Sequence, residues 1–262
     1  GELYSGLLYD IETGDAEDVK RSRYIVNHRI DYKIKTNLRV GFYEQIIVGD
    51  KLSLSYMVPI MPFWSAQHSL GDTDNLQMGF DIEYIKNKNR FYFALIIDEW
   101  APYDTFSAEH HNWFGGQFGY SRLLSDKSLL KIEYSRIEPQ VYTHDISINE
   151  PFHYSYPIGF WAGGDSEDIL LKIAFKLKKM KDLEINFRHS NIGTSEYDVN
   201  ADFLDEDIKS RSVLGFSIIK KIKTNLGPIN YMIKIQQINT KNLYDIENFM
   251  DCQISLLYNI NY

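Results

Sequence analysis

Gln253-Ile254-Ser255-Leu256-Leu257-Tyr258-Asn259-Ile260-Asn261-Tyr262, at the end of the sequence, carries the alternation on which the fold class turns. In an extended chain successive side chains point to opposite faces. Ile254, Leu256, Tyr258, Ile260 and Tyr262 therefore fall on one face and Ser255, Asn259 and Asn261 on the other, with only Leu257 out of step. A strand apolar on one side and studded with tyrosine suits the wall of a membrane-spanning β-barrel. A soluble sandwich strand can carry the same pattern, so the weight lies on whether the chain repeats it.

It does. Upstream, Tyr24, Val26, His28, Ile30, Tyr32 and Ile34 alternate with Asn27, Arg29, Asp31 and Lys33. Leu76, Met78, Phe80, Ile82 and Tyr84 alternate with Gln77, Asp81 and Glu83. Leu130, Ile132 and Tyr134 oppose Lys131, Glu133 and Ser135, and Ile169, Leu171, Ile173, Phe175 and Leu177 oppose Lys172, Ala174 and Lys176. Further strands are expected over Glu2 to Leu8, from Leu38, Arg90 to Asp98, Trp113 to Leu123, from Leu183, Arg211 to Ile222, Ile229 to Ile238 and Phe249 to Tyr262. That makes about twelve strands, most of them about 9–12 residues long, enough for a tilted strand to cross a bilayer.

The connections alternate in length. Short turns follow Ile34, Lys86, Leu124, Lys178 and Thr224. Longer connections occupy Gly49 to Asp74, Glu99 to Asn112, Pro139 to Glu167, Gly193 to Asp207 and Thr240 to Glu247. Pro59 and Pro62 break the first long connection, which has room for a short helical turn. Short turns at one rim and long loops at the other are the layout of an outer-membrane barrel. On this layout the final strand runs inward and Tyr262 ends in the periplasm. The expected fold is thus all-β, an antiparallel up-and-down transmembrane β-barrel forming one domain over 1–262, with about twelve strands visible. Soluble all-β architectures give less reason for charge to line the face opposite the apolar one throughout.

Composition agrees. Among 262 residues, 19 Tyr and 15 Phe supply material for interfacial girdles. The mean hydropathy of -0.33 does not oppose a membrane location, because alternation hides an apolar face from averaging. No apolar run approaches the roughly 18 residues of a transmembrane helix. A net charge of -8 with both signs interspersed argues against nucleic acid as partner, and the single Cys252 leaves no disulfide and no cysteine-based metal site.

From about Asn27 onward the order of features resembles the capsule-assembly outer-membrane proteins of the Wzi type. The matching pieces are His28-Arg29-Ile30-Asp31-Tyr32, Leu38-Arg39-Val40-Gly41-Phe42-Tyr43-Glu44, Val58-Pro59-Ile60-Met61-Pro62 and Asp74-Asn75-Leu76. Further on come Phe93 to Glu99, Glu133 to Pro139, Tyr142-Thr143-His144, Tyr156-Pro157-Ile158-Gly159, Gly163-Gly164 and Asp168. The resemblance implies a Gram-negative outer-membrane barrel that holds capsular or other surface polysaccharide as a lectin and not as a catalyst, with membrane lipid as its other partner. A monomer with no cofactor is expected. Members of that family are longer at the N-terminal side, so the resemblance also implies the C-terminal portion of such a barrel.

The long loops are rich in aromatic residues. Trp100, Tyr103, Trp113, Tyr142, His144, Tyr154, Tyr156 and Trp161, with Trp64, are candidates for glycan contact, since aromatic faces stack on sugar rings while polar groups bond the hydroxyls. They serve equally as belt and loop-packing residues. Glu109-His110-His111, with His144 or His153, invites a metal reading, but adjacent residues of an extended chain point apart and no metal is expected. Asp98-Glu99 diverge in the same way and suit a structural role better than the paired carboxylates of a glycosidase. A pore or transport protein for small solutes or oligosaccharides is the alternative function and a barrel-borne hydrolase a more distant one. The mixed-sign inner face, including Arg29, Asp31, Lys33, Arg39, Asp81, Glu83, Lys131, Glu133, Lys172, Glu184, Arg188 and Lys234, is expected to cross-pair.

Overall fold

A computed structural model describes residues 2–8, 22–49, 51–58, 61–71, 73–99, 113–154, 156–177, 182–193, 202–205, 207–224, 227–242 and 245–258. The strands are β1 (Glu2–Leu8), β2 (Arg23–Lys35), β3 (Leu38–Gly49), β4 (Asn75–Lys86), β5 (Asn89–Glu99), β6 (Trp113–Ser125) and β7 (Ser128–Ile137). They continue with β8 (Phe152–His153), β9 (Tyr156–Pro157), β10 (Ser166–Phe175), β11 (Asp182–Ile192), β12 (Lys209–Thr224), β13 (Gly227–Lys241) and β14 (Ile246–Tyr258). One α-helix, α1 (Phe63–Leu70), follows a 3-10 turn at Leu54–Met57.

Twelve strands form one antiparallel sheet in the order β1-β2-β3-β4-β5-β6-β7-β10-β11-β12-β13-β14, with β8 and β9 as a separate hairpin. Each strand pairs with its sequence neighbour, apart from the step over that hairpin from β7 to β10. β1 and β14 stand at the two ends of the order, so the sheet described is not closed into a barrel. The all-β antiparallel reading holds, the strands lie at the expected places, and the turns after Ile34, Lys86 and Leu124 are short as expected, while those after Lys178 and Thr224 fall outside the described residues.

Two expectations need adjusting. The connection expected over Thr240 to Glu247 is tight, because β13 runs to Lys241 and β14 starts at Ile246. Asn242 N–H donates to Asp245 O (3.0 Å), and Asp245 N–H donates to Asn242 Oδ1 (2.6 Å). The ladder continues through polar residues there because its backbone bonds do not require apolar side chains. The β8–β9 hairpin was not anticipated, since two-residue strands are too short to show an alternation. Residues 259–262, where the terminal strand was expected to finish, lie outside the described residues; β14 does run from the long-loop rim toward the short-turn rim.

Directly opposed residues share a face, so the registers trace rows across the sheet. One row is Phe91, Tyr120, Ile132, Leu171, Phe187 and Leu214, all half-buried or exposed. The next rows on that face carry Phe93, Phe118, Tyr134 and Ile169, and Ile173, Ile185, Phe216 and Ile235. On the other face runs the row Asp81, Ala94, Gln117, Ser135, Asp168, Ser190, Arg211 and Thr240, within which Ser135, Asp168 and Ser190 are at most 2% exposed. Polar residues are inside and large apolar ones outside, the reverse of a water-soluble sheet.

Charge on the inner face cross-pairs as expected. Arg29 reaches Asp31 and Asp81 (both 2.8 Å), Lys172 reaches Glu184 (2.6 Å), Arg39 reaches Glu83 (3.5 Å), and Lys131 pairs with Glu133. Gly41 lies between Asp31 and Asp81 in its row, and a Cβ there would collide with the Arg29 guanidinium that bridges them. Gly119 likewise leaves room for the Tyr92 ring, whose hydroxyl donates to Glu133.

The sheet curls around the segment that follows β7. Ile158 packs on Leu8, Ile25 and Ile47 of β1–β3, Phe160 on Trp113 and Ile137 of β6 and β7, and the Trp161 ring lies under Arg188 of β11 at 4.9 Å. From β3 to β11 is six strand spacings in the sheet order, about 29 Å if the sheet were flat. Residues 158 to 161 can span only about 11 Å of backbone. Side chains of strands that far apart in the order therefore meet on one short segment.

Candidate ligand-binding face

The segment over 139–165 is fixed to the sheet mainly by polar ties. Arg23, a buried cation at the start of β2, donates from Nε to Ile148 O (2.6 Å), from Nη1 to Phe152 O (3.2 Å) and from Nη2 to Glu150 O. Asn149 bridges two neighbours: its Oδ1 accepts from Gly49 N–H (2.8 Å) and its Nδ2 donates to Thr73 O (2.6 Å). Gln45 donates to Gln77 and Gln77 to Asp98 (both 3.1 Å), while Asp98 also accepts from the Tyr142 N–H. A buried relay of this kind is stabilising because its members satisfy one another.

Asp98 is thus committed to holding Tyr142, which adopts the left-handed conformation with φ 74. The Tyr142 hydroxyl accepts from Phe160 N–H (3.0 Å), and burial pushes its pKa up to about 12, opposed by that hydrogen bond and assisted by Asp98. The phenol is neutral across physiological pH. At the base of the segment Asp165 accepts from Leu204 N–H (2.8 Å), and burial raises its carboxyl above the usual range.

The candidate residues separate by position. Trp113 and Tyr142 are buried in one apolar cluster with Ile137 and Val141, where they shape the segment and present no ring to solvent. His144 is engaged locally: its Nδ1 accepts from Ile146 N–H (3.0 Å) and lies 2.9 Å from Asp145. Tyr154, Tyr156 and Trp161 are open, at 42%, 75% and 40% exposure. Tyr154 sits at the turn between β8 and β9 with φ 49 and its ring against His153 (4.3 Å), while Tyr156 lies on β9. Trp161 carries the Arg188 guanidinium on one face. The segment therefore presents three exposed aromatic side chains, of which Trp161 has the Arg188 cation beside it, groups able to stack on a ring and to donate hydrogen bonds.

Trp100, Tyr103, Glu109, His110 and His111 lie outside the described residues. Trp64 is on α1, which packs against the outward face of the sheet, on the side opposite to Phe160 and Tyr142. Arg23 and Asn149 were not anticipated as organising residues, and only the buried charge of Arg23 in an otherwise apolar strand start hints at a role. Among the described residues no three His, Cys, Asp or Glu side chains are placed to hold a metal ion. No protein-family model matches the chain, and a search of curated proteins finds no match.

Proposed function

We propose that the chain forms the wall of an outer-membrane β-barrel that holds exported surface polysaccharide, as the resemblance to capsule-assembly proteins implies, without acting on it chemically. The observation that carries the reading is the reversal of the two sheet faces. An outward band of Phe, Tyr, Ile and Leu running from β2 to β13 is far more apolar surface than a soluble monomer leaves open, and it matches a surface solvated by lipid chains. Closing the sheet satisfies the free edges of β1 and β14, as lipid requires of any spanning strand. The polar face then lines the interior, where the 139–165 segment fills space and presents Tyr154, Tyr156 and Trp161 at the long-loop rim.

The test is retention of the purified, detergent-folded protein on surface polysaccharide. Tyr154→Ala, Tyr156→Ala and Trp161→Ala are each expected to weaken retention about fivefold to tenfold, from the ~1–1.5 kcal/mol of an aromatic contact. Unchanged retention in all three would remove the glycan reading. In planar bilayers the protein is expected to show no discrete conductance steps, whereas a pore for small solutes would.

A further inference from the structure

The outward face at the long-loop rim of β2–β4 is not bare. Phe63 and Ala66 of α1, with Tyr56 of the preceding turn, pack on Val26, Ile46 and Leu76. These three share a row, and the same face continues four residues on through Ile30, Phe42 and Phe80, of which Ile30 is 64% exposed. The helix thus sits on the outward band and is continuous with it.

It also covers what the band must hide. Glu44 and His28 oppose each other on this face. Phe63 N–H, at the start of α1, donates to Glu44 Oε2 (2.7 Å), and the Phe63 ring lies over His28 at 4.0 Å. A carboxylate exposed to hydrocarbon is costly, and a helix N-terminus is a favourable partner for it. The cover itself turns apolar groups away from the sheet: Leu54, Met57, Val58, Met61, Trp64 and Leu70 are exposed. From Leu52 to Gly71 the sequence holds no Asp, Glu, Lys or Arg, in a chain that is 24% charged. A loop built to face water has no reason for that composition.

We infer that the segment around α1 is a membrane-interface collar, seated in the headgroup-level zone of the bilayer at the long-loop rim with Trp64 as its anchor. This rests on the barrel reading above and adds to it an occupant for a surface that reading leaves unassigned. Tryptophan at the boundary between lipid chains and headgroups is favoured because its ring is amphipathic, and an apolar, charge-poor cover on a short helix suits shallow insertion.

The test uses the full chain reconstituted in phosphatidylcholine vesicles containing brominated lipids, which quench nearby indoles. Subtracting the emission of Trp64→Phe isolates Trp64 without disturbing the other three tryptophans. The Trp64 component is expected to be blue-shifted and to lose more emission with bromine near the headgroup than with bromine deep in the chain. Iodide in the aqueous phase is expected to quench it little. A component quenched by iodide and untouched by brominated lipid overturns the inference, as does one shielded from both, which would mean that protein covers the face. Phe187→Trp, at mid-height on the outward face, separates the two readings. If it is quenched from deep in the chain while Trp64 is not quenched by lipid, the barrel stands and the collar falls. If neither is quenched by lipid, both fall.

Discussion

Asp74 shows how a single carboxyl can set a pH response in the rim. Tyr56 O–H donates to its Oδ2 (2.7 Å), and Gln67 Nε2 donates to its backbone oxygen (2.5 Å). Burial raises its pKa above the ordinary value, against the opposing effects of the Tyr56 bond and of His144. A raised folded-state value means that the folded chain binds the proton more tightly than the unfolded one. Stability is therefore lost as pH rises from the ordinary carboxylate range through the folded value, and regained on mild acidification. Asp74→Asn keeps an oxygen for Tyr56 and removes the titration. Melting curves between about pH 4 and pH 7 are expected to show a smaller acid-side gain for the variant than for the parent chain. An equal gain in both would place the titration elsewhere. None of this is legible in Asp74-Asn75-Leu76 as sequence, because the burial is created by the turn at Leu54–Met57 and by α1. The rings of Trp113 and Tyr142 teach the same lesson: in a list of loop aromatics they are indistinguishable from Tyr156, and only the fold buries two and exposes the third.

At the scale of the strand, a strong signal was available and was enough. A period of two is a property of extended backbone itself, so Ile169, Leu171 and Ile173 against Lys172 and Ala174 fix both the element and its faces before any partner is known. What the period cannot say is which face meets which surroundings, and that is open to direct test. Phe187 points outward and Asn186 inward, where it stands opposite Lys172. Phe187→Arg is expected to cost about 2–4 kcal/mol in folding into vesicles, the cost of a cation near the middle of a bilayer. Asn186→Asp, beside a lysine on a polar face, is expected to stay within about 0.5 kcal/mol. Urea titration of the vesicle-inserted protein measures both, and equal effects would place the two faces in the same solvent. The helix was legible only as an interruption: Pro59 and Pro62 mark a break in the strands, while its seat on the outward face depends on Phe63 meeting Val26, Ile46 and Leu76.

For the whole molecule, the meander order could be read from turn spacing, since a short turn joins neighbouring antiparallel strands almost by necessity. The curl could not. It comes from a handful of side chains, Ile158, Phe160 and Trp161 among them, that touch strands far apart in the order. The Arg23 tie belongs with these and carries a consequence in time. Hairpins between neighbours can zip early, each closing a small loop, whereas Arg23 meets Ile148, Glu150 and Phe152 across separations of 125 to 129 residues. Contacts that close so long a loop form only after the strands between them have been laid down. Arg23→Ala leaves three carbonyls without their cation and is expected to cost about 3 kcal/mol. Nearly all of that should appear as unfolding about a hundredfold faster, with the rate of folding unchanged. Stopped-flow measurement of both limbs would show it, and a slowed folding limb would instead put this tie among the first contacts made. On that account the guanidinium acts as the latch of the fold, setting how long the assembled state lasts and not how quickly it is reached.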